Sequence, residues 1–189
     1  MKTLLLCGYR RSENGESILG LERDESHQRL LDRQIHDLSK LGFEVITVLS
    51  GDHADEQLRV CPRVANTELV FDTTPGPTLA TNLRAGLAAT DDEGCFVLPV
   101  EIPAPPADLW RFLVQEWHRQ GFNAPVTLIQ AADTEGAPWH FGFPLLITRT
   151  GNRELRKLQN LLSLSDPRLS YLHPVFQLEA TLATGHKAL

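Results

Sequence analysis

Three short stretches carry residue types that could handle phosphate chemistry. In the first, "LLLCGYRRSENGES" (residues 4–17), an apolar run ends in Gly8. A polar loop follows, with Arg10, Arg11, Ser12, Asn14, Gly15 and Ser17. Glycines let a backbone approach an anion and present its N–H groups, and guanidinium groups hold phosphate oxygens in pairs. The loop therefore reads either as a phosphate cradle or as a solvated loop with exposed arginines. Its spacing matches neither the Gly-Lys-Ser/Thr end of a Walker A loop nor Gly-x-Gly-x-x-Gly. The second stretch, "DTTPGPTLATNLRAGL" (72–87), sets a rigid turn before a helix. Thr78 or Thr81 there can cap that helix and aim its N–H groups at a ligand, or simply complete ordinary turn chemistry. The third, "VLPVEIPAP" (97–105), puts Glu101 directly after an apolar run, where its carboxylate is either an oxygen ligand for Mg²⁺ or a surface group in a proline-stiffened loop.

The elements that must position these loops follow from periodicity. Residues 2–7, "FEVITVLS" (43–50), "ELVFD" (68–72) and "GCFVLPV" (94–100) are short apolar or β-branched runs that read as buried strands. Between them Leu31, Ile35, Leu38 and Leu41 recur at helical spacing. Ser26 is the expected N-cap of that helix and Gly42 its stop. "GDHADEQL" (51–58) is a loop or short helix. A helix is expected near 78–89, with Leu79, Leu83, Gly86 and Leu87 on one face. Another is expected from about 106 to 120, with Trp110, Leu113, Val114 and Trp117 as its stripe. "PVTLIQ" (125–130) and "WHFGFPLLITR" (139–149) read as strands, followed by a helix near 151–163, an apolar segment at 171–182 and a frayed tail. Alternating strands and amphipathic helices predict an α/β domain with a largely parallel sheet, in which ligands bind outside the carboxyl ends of the strands. The candidate loops are then 8–23, 72–78 and 100–106.

Composition narrows the function classes. A chain of 189 residues with 42% hydrophobic and 22% charged residues suits one soluble domain, here taken as 1–189. The net charge of −6 and the absence of long basic runs exclude a nucleic-acid footprint. No segment approaches the roughly 18 apolar residues of a membrane span, and the N-terminal apolar run is shorter than the ~7–15 residues of a secretory core. A cytoplasmic location is expected. The three cysteines, Cys7, Cys61 and Cys95, are far apart and odd in number, so neither a zinc site nor a disulfide framework is expected, and Cys7 and Cys95 read as buried apolar residues. Ser12 and Ser17 have no histidine or acid at an interpretable spacing for a hydrolase triad. His53 with Asp52 and Asp55 reads as a solvated helix start before it reads as a metal site. Trp110 and Trp117 read as core.

Together, in this order and spacing, "LLDRQIHDLSKLGFEVITVLS", "PGPTLATNLRAGL" and "FVLPVEIPAPPADL" make residues 3–150 resemble the MobA-like nucleotidyltransferases, which include the molybdenum-cofactor guanylyl- and cytidylyltransferases. The resemblance implies a Rossmann-like three-layer α/β/α sandwich with a mostly parallel sheet, of the nucleotide-diphospho-sugar transferase type. It implies transfer of a nucleoside monophosphate from an NTP to a phosphorylated acceptor, with release of pyrophosphate. Nucleotide-binding residues would be Gly8, Arg10, Arg11, Ser12, Gly15, Arg23, Gly76 and Asn82. Arg11 and Glu101 would be catalytic, with Glu101 holding Mg²⁺. "HFGFPLLI" resembles the family's late strand near the acceptor, or is a plain core strand.

The sequence departs from the family pattern in the first loop. The family reads Leu-Ala-Gly-Gly, then Arg-Met-Gly, then a lysine. Alignment on Gly8 and Gly15 puts Tyr9 at the second glycine, Glu13 at the arginine, Asn14 at the methionine and Ile18 at the lysine. The local charge becomes more negative by about 3, where each lost phosphate clamp costs about 2.7–4 kcal/mol by analogy with an oxyanion-hole donor. Arg10, Arg11 and Arg23 are the available substitutes. Glu101 stands where the family has Asp, which extends the carboxylate by about 1.5 Å, one C–C step. A second metal carboxylate has only Asp133 and Glu135 as candidates. Three function classes are carried forward: an active transferase with a reworked loop; an inactive member that binds a nucleotide, a cofactor precursor or a protein partner; and a structural or interaction protein whose pocket is collapsed, filled by Tyr9 and Ile18.

Overall fold

The computed structural model describes residues 1–7, 19–23, 25–50, 53–90, 94–102, 104–105, 107–119, 126–127 and 145–148. The strands are β1 (Lys2–Leu6), β2 (Glu44–Ser50), β3 (Glu68–Asp72), β4 (Gly94–Pro99), β5 (Val126–Thr127) and β6 (Leu145–Thr148); the helices are α1 (Leu30–Lys40), α2 (Ala54–Val60), α3 (Leu79–Ala88) and α4 (Ala107–Arg119). They form a six-stranded sheet in the order β3-β2-β1-β4-β6-β5. β1 to β4 are mutually parallel, with Leu4 opposite both Ile46 and Val97. β6 runs antiparallel to β4, and β5 antiparallel to β6. The fold is the three-layer α/β/α sandwich expected from the sequence.

Strand alternation sends side chains to two cores. Leu5, Cys7, Leu49, Phe96 and Leu98 pack under α1, α2 and α4, around Leu31, Ile35, Leu38, Trp110 and Leu113. Leu4, Leu6, Ile46, Val48 and Val97 pack under α3, against Leu83 and Leu87. With both faces covered, the central strands carry apolar residues at nearly every position, as parallel strands require. Each fully buried aliphatic side chain contributes roughly 1.5–3 kcal/mol. Phe43, Phe96 and Trp110 form an aromatic group with centroids 4.8–5.7 Å apart, Phe96 meeting both other rings edge-to-face. Trp110 and Trp117 are core residues, and all three cysteines are buried and unbridged.

Gly42 ends α1 as expected. Its φ of 80° is the left-handed conformation, and the Phe43 N–H bonds the Leu38 carbonyl while the Gly42 N–H bonds that of Ser39. This is a Schellman stop, which glycine makes without strain. The N-terminal expectation is corrected. Ser26 lies in a turn, and the N-cap of α1 is the extended Arg29. An isolated bridge between Arg23 and Arg29 folds the intervening residues back, with His27 at φ 59°, so helical geometry begins only after the bridge. The segment 51–58, left open between loop and helix, supplies most of α2. Of the expected strand 125–130 the described part is Val126–Thr127, and of 139–149 it is Leu145–Thr148. The helix near 151–163, the segment 171–182, the tail, Asp133 and Glu135 lie outside the described residues.

Candidate functional site

The strand order 3-2-1-4 reverses direction between β1 and β4, and the carboxyl ends of these two strands form the topological switch point where open α/β sheets take ligands. The Val100 N–H bonds the Leu6 carbonyl, which carries the β1–β4 pairing to its last residue. The chain then turns: the Ile102 N–H bonds the Pro99 carbonyl at 3.0 Å, so Pro99–Ile102 is a tight turn with Glu101 at its third position. Glu101 is half-buried. Cys7, the residue following β1, has its thiol pushed well above its ordinary value first by burial, then by the Glu101 carboxylate, then by Cys61. The carboxylate thus acts on the exit of β1, beside the start of the first loop.

A buried amide holds this turn from behind. Gln34 lies on α1 at 5% exposure. Its Nε2 donates to the carbonyls of Ile102 at 2.7 Å and Val100 at 3.4 Å, and its Oε1 accepts from the Ala104 N–H at 3.2 Å. One side chain therefore grips the backbone on both sides of Glu101.

A second constellation stands at the carboxyl end of β3. Thr78 caps α3, its Oγ accepting from the Thr81 N–H at 3.2 Å while the Thr81 Oγ accepts from the Thr78 N–H at 2.8 Å. Both threonines singled out in the sequence are thus used, as a reciprocal capping box. Asp72 ties this first turn to the sheet. Its Oδ2 accepts from the Thr81 hydroxyl at 2.6 Å and from Asn82 Nδ2 at 2.7 Å, and its Oδ1 accepts from the Thr74 N–H at 3.0 Å. At 2% exposure, burial pushes its pKa up, but the bonds from Thr81, Thr74 and Asn82 outweigh that and hold it below its ordinary value. Ser50, the register partner of Asp72, is fully buried; its Oγ and Asn82 Oδ1 have no hydrogen-bond partner.

The structure thus brings Glu101, Gly76 and Asn82 to the carboxyl end of the sheet. Gly76 sits in the turn before α3 with φ 63°. The amide nitrogen of Asn82 is engaged by Asp72. Arg23 is exposed, and its guanidinium donates to the His27 carbonyl at 2.5 Å, closing the 23–29 turn. Gly8, Arg10, Arg11, Ser12 and Gly15 lie outside the described residues. No group of three or more His, Cys, Asp and Glu is placed to hold a metal ion among the described residues. Glu101 can serve as the single protein carboxylate that Mg²⁺ takes alongside substrate phosphates, whereas both Asp72 oxygens are occupied. Sequence reasoning missed Asp72 and Gln34. The usable signal for Asp72 was an acid ending a strand ahead of a Pro-Gly turn, and for Gln34 a polar residue on the apolar stripe of a helix.

A family model described as the MobA-like NTP transferase domain matches residues 22–170. The chain belongs to the MobA-like NTP transferase family. The matched span starts beyond residues 8–18 and the 3₁₀ turn Leu19–Leu21. No curated protein matches the sequence. Among solved structures, Rv0371c from Mycobacterium tuberculosis H37Rv superposes with a TM-score of 0.68 at 18% identity, covering 93% of this chain and 85% of that one. Its homologue from Mycobacterium sp. strain JC1 gives 0.68 at 19%, with 92% and 82% covered. The CMP:2-keto-3-deoxy-manno-octonic acid synthetase solved with CTP gives 0.63 at 11%, with 90% and 85% covered. At these identities the likeness is one of fold. Among the described residues no helix of this MobA-like chain is long and apolar enough to cross a membrane.

Proposed function

We propose that this MobA-like chain transfers a nucleoside monophosphate from an NTP to a phosphorylated small-molecule acceptor in the crevice beyond β1 and β4. The observation that carries the reading is Glu101, held on a tight turn at the switch point of a family scaffold. In the reaction an acceptor phosphate oxygen attacks the α-phosphorus, the α–β bridging bond breaks, and pyrophosphate leaves with that electron pair. Bound Mg²⁺ would neutralise charge on the phosphates. Glu101 is the residue to hold it. The α3 turn fixed by Asp72 supplies a rigid wall for the nucleoside side, and Arg10 or Arg11 stands in for the cations absent at Glu13 and Ile18. A molybdopterin-type phosphate is the acceptor suggested by the resemblance, and the cytoplasm the expected location.

The test is pyrophosphate release from each of the four NTPs with Mg²⁺ and a pterin phosphate acceptor. The expected result is release with at least one NTP and a loss of about 10²–10³-fold in Glu101→Gln, the range for removing one transition-state donor. A second reading, binding without turnover, is favoured by a family match that begins only at residue 22, past the altered loop. Melting temperatures raised by NTP and Mg²⁺ with no pyrophosphate release would select it. Absence of both would refute the two readings.

A further inference from the structure

We infer that Gln34 is a positioning residue for the metal step: its buried amide sets the backbone that carries Glu101. This rests on the reading of Glu101 as the Mg²⁺ ligand. The three bonds of Gln34 reach residues 100, 102 and 104, so they span the turn on both sides of Glu101. All three go to backbone atoms, and the amide uses both its donor and its acceptor end. Gln34 itself is fixed by α1, whose neighbouring Leu31, Ile35 and Leu38 lie at 0–3% exposure in the core. The turn is therefore referenced to the rigid middle of a helix rather than to the loop alone.

Geometry makes this consequential. Mg²⁺ demands near-octahedral geometry at about 2.0–2.1 Å, so its affinity responds to small displacements of a carboxylate. A glutamate has one more rotatable bond than an aspartate, which raises the need for a fixed backbone beneath it. Residues that orient a metal ligand typically alter metal affinity about 10–100-fold when removed.

The experiment titrates the full-length chain with each NTP in EDTA and in Mg²⁺, and reads the ratio of the two Kd values. Glu101→Gln should bring the ratio close to one. Gln34→Leu, which keeps an apolar fit in the core, should lower the ratio about tenfold while the metal-free Kd stays within about twofold. Gln34→Glu is isosteric and keeps the acceptor for Ala104 while setting an oxygen against the Val100 and Ile102 carbonyls. It should lower the ratio as well, and it serves as the test if Gln34→Leu does not fold. Added to Glu101→Gln, either Gln34 change should lower the ratio no further. The inference is overturned if both Gln34 variants keep the wild-type ratio, or lose metal-free and metal-bound affinity in equal proportion. A ratio that collapses in Glu101→Gln but not in the Gln34 variants overturns this inference alone. A ratio unchanged in Glu101→Gln, or no NTP binding by the wild type, removes the metal-ligand reading and this inference with it.

Discussion

Replacing Asp72 by Asn isolates the network that fastens α3 to the sheet. The substitution keeps shape and removes one charge. At present Asp72 accepts at both oxygens: Thr81 Oγ and Asn82 Nδ2 on Oδ2, and the Thr74 N–H on Oδ1. An asparagine offers one acceptor oxygen. Turned toward α3, it sets its NH₂ against the Thr74 N–H; turned the other way, it sets it against Asn82 Nδ2. One buried donor is lost in either case, at about 1–3 kcal/mol, and the surviving bonds lose their charge assistance. Thr81 has a fallback in the Thr78 carbonyl, 3.0 Å from its Oγ, so its loss is small. The total is about 2–4 kcal/mol, with no discount for solvent because Asp72 is 2% exposed. For a chain of this length that is a fall in Tm of roughly 5–15 °C. Because the folded pKa is depressed, the ionised carboxylate contributes fully above its unfolded value of 3.8 and loses that contribution as pH falls through the folded pKa. Urea denaturation of both proteins at pH 7 and across the acid range therefore checks two things at once. The gap should be largest at neutral pH and shrink below 3.8. A gap under about 0.5 kcal/mol at pH 7, within ordinary surface scatter, or one that stays constant into acid, would refute the reasoning.

Three further outcomes are expected. Gly86→Ala should destabilise by about 1 kcal/mol in urea melts: its Cβ would stand 2.9 Å from Val48 Cγ2 and 3.1 Å from Leu4 Cδ1, an overpacking cost of about 1–3 kcal/mol that exceeds the helix-propensity gain of about 1. Gln57→Met should raise stability by about 1–2 kcal/mol, seen as a higher Tm, because Gln57 is fully buried on α2 and neither of its side-chain amide atoms has a partner; a lower Tm would contradict this. The native protein should not react with a thiol reagent at pH 8 and should react once unfolded. All three cysteines are buried, and Cys61 is pushed up to about 12, first by burial and then by Asp32 against an opposing Arg29.

The parts legible in the sequence were those fixed by local chemistry or by a strong period. The central strands stood out because helices on both faces make nearly every position apolar. Gly42 and Thr78 marked helix ends because a left-handed φ and a side-chain cap are demands of single residues. Ser26 misled because a bridge between Arg23 and Arg29, set by pairing rather than by propensity, delays the start of α1. The tie between Asn82 and Asp72, an amide nitrogen bonding a carboxylate across the gap between β3 and α3, has no local signal in the sequence. Gln34 was overlooked among the leucines of its helix stripe. Its partners are backbone groups more than sixty residues away, and nothing local announces them.

Two carboxylates stand at the carboxyl end of this sheet, Asp72 as the last residue of β3 and Glu101 in the turn after β4, and their surroundings assign them different work. Asp72 is engaged at both oxygens: three donors converge on them and hold the charge in place. Such a group fixes the angle at which a helix meets a sheet, and it makes a poor metal ligand because coordination would have to break those bonds. Glu101 is held the other way round. Restraint acts on its backbone, through the Pro99–Ile102 turn and the Gln34 amide, whose three bonds all go to main-chain atoms. Asp72→Asn should move stability far more than Mg²⁺-dependent affinity, and Glu101→Gln should do the reverse. The two variants measured side by side, by urea melts and by NTP titration with and without metal, separate the roles. Equal effects of both changes on both quantities would mean that the two carboxylates serve a single structural network.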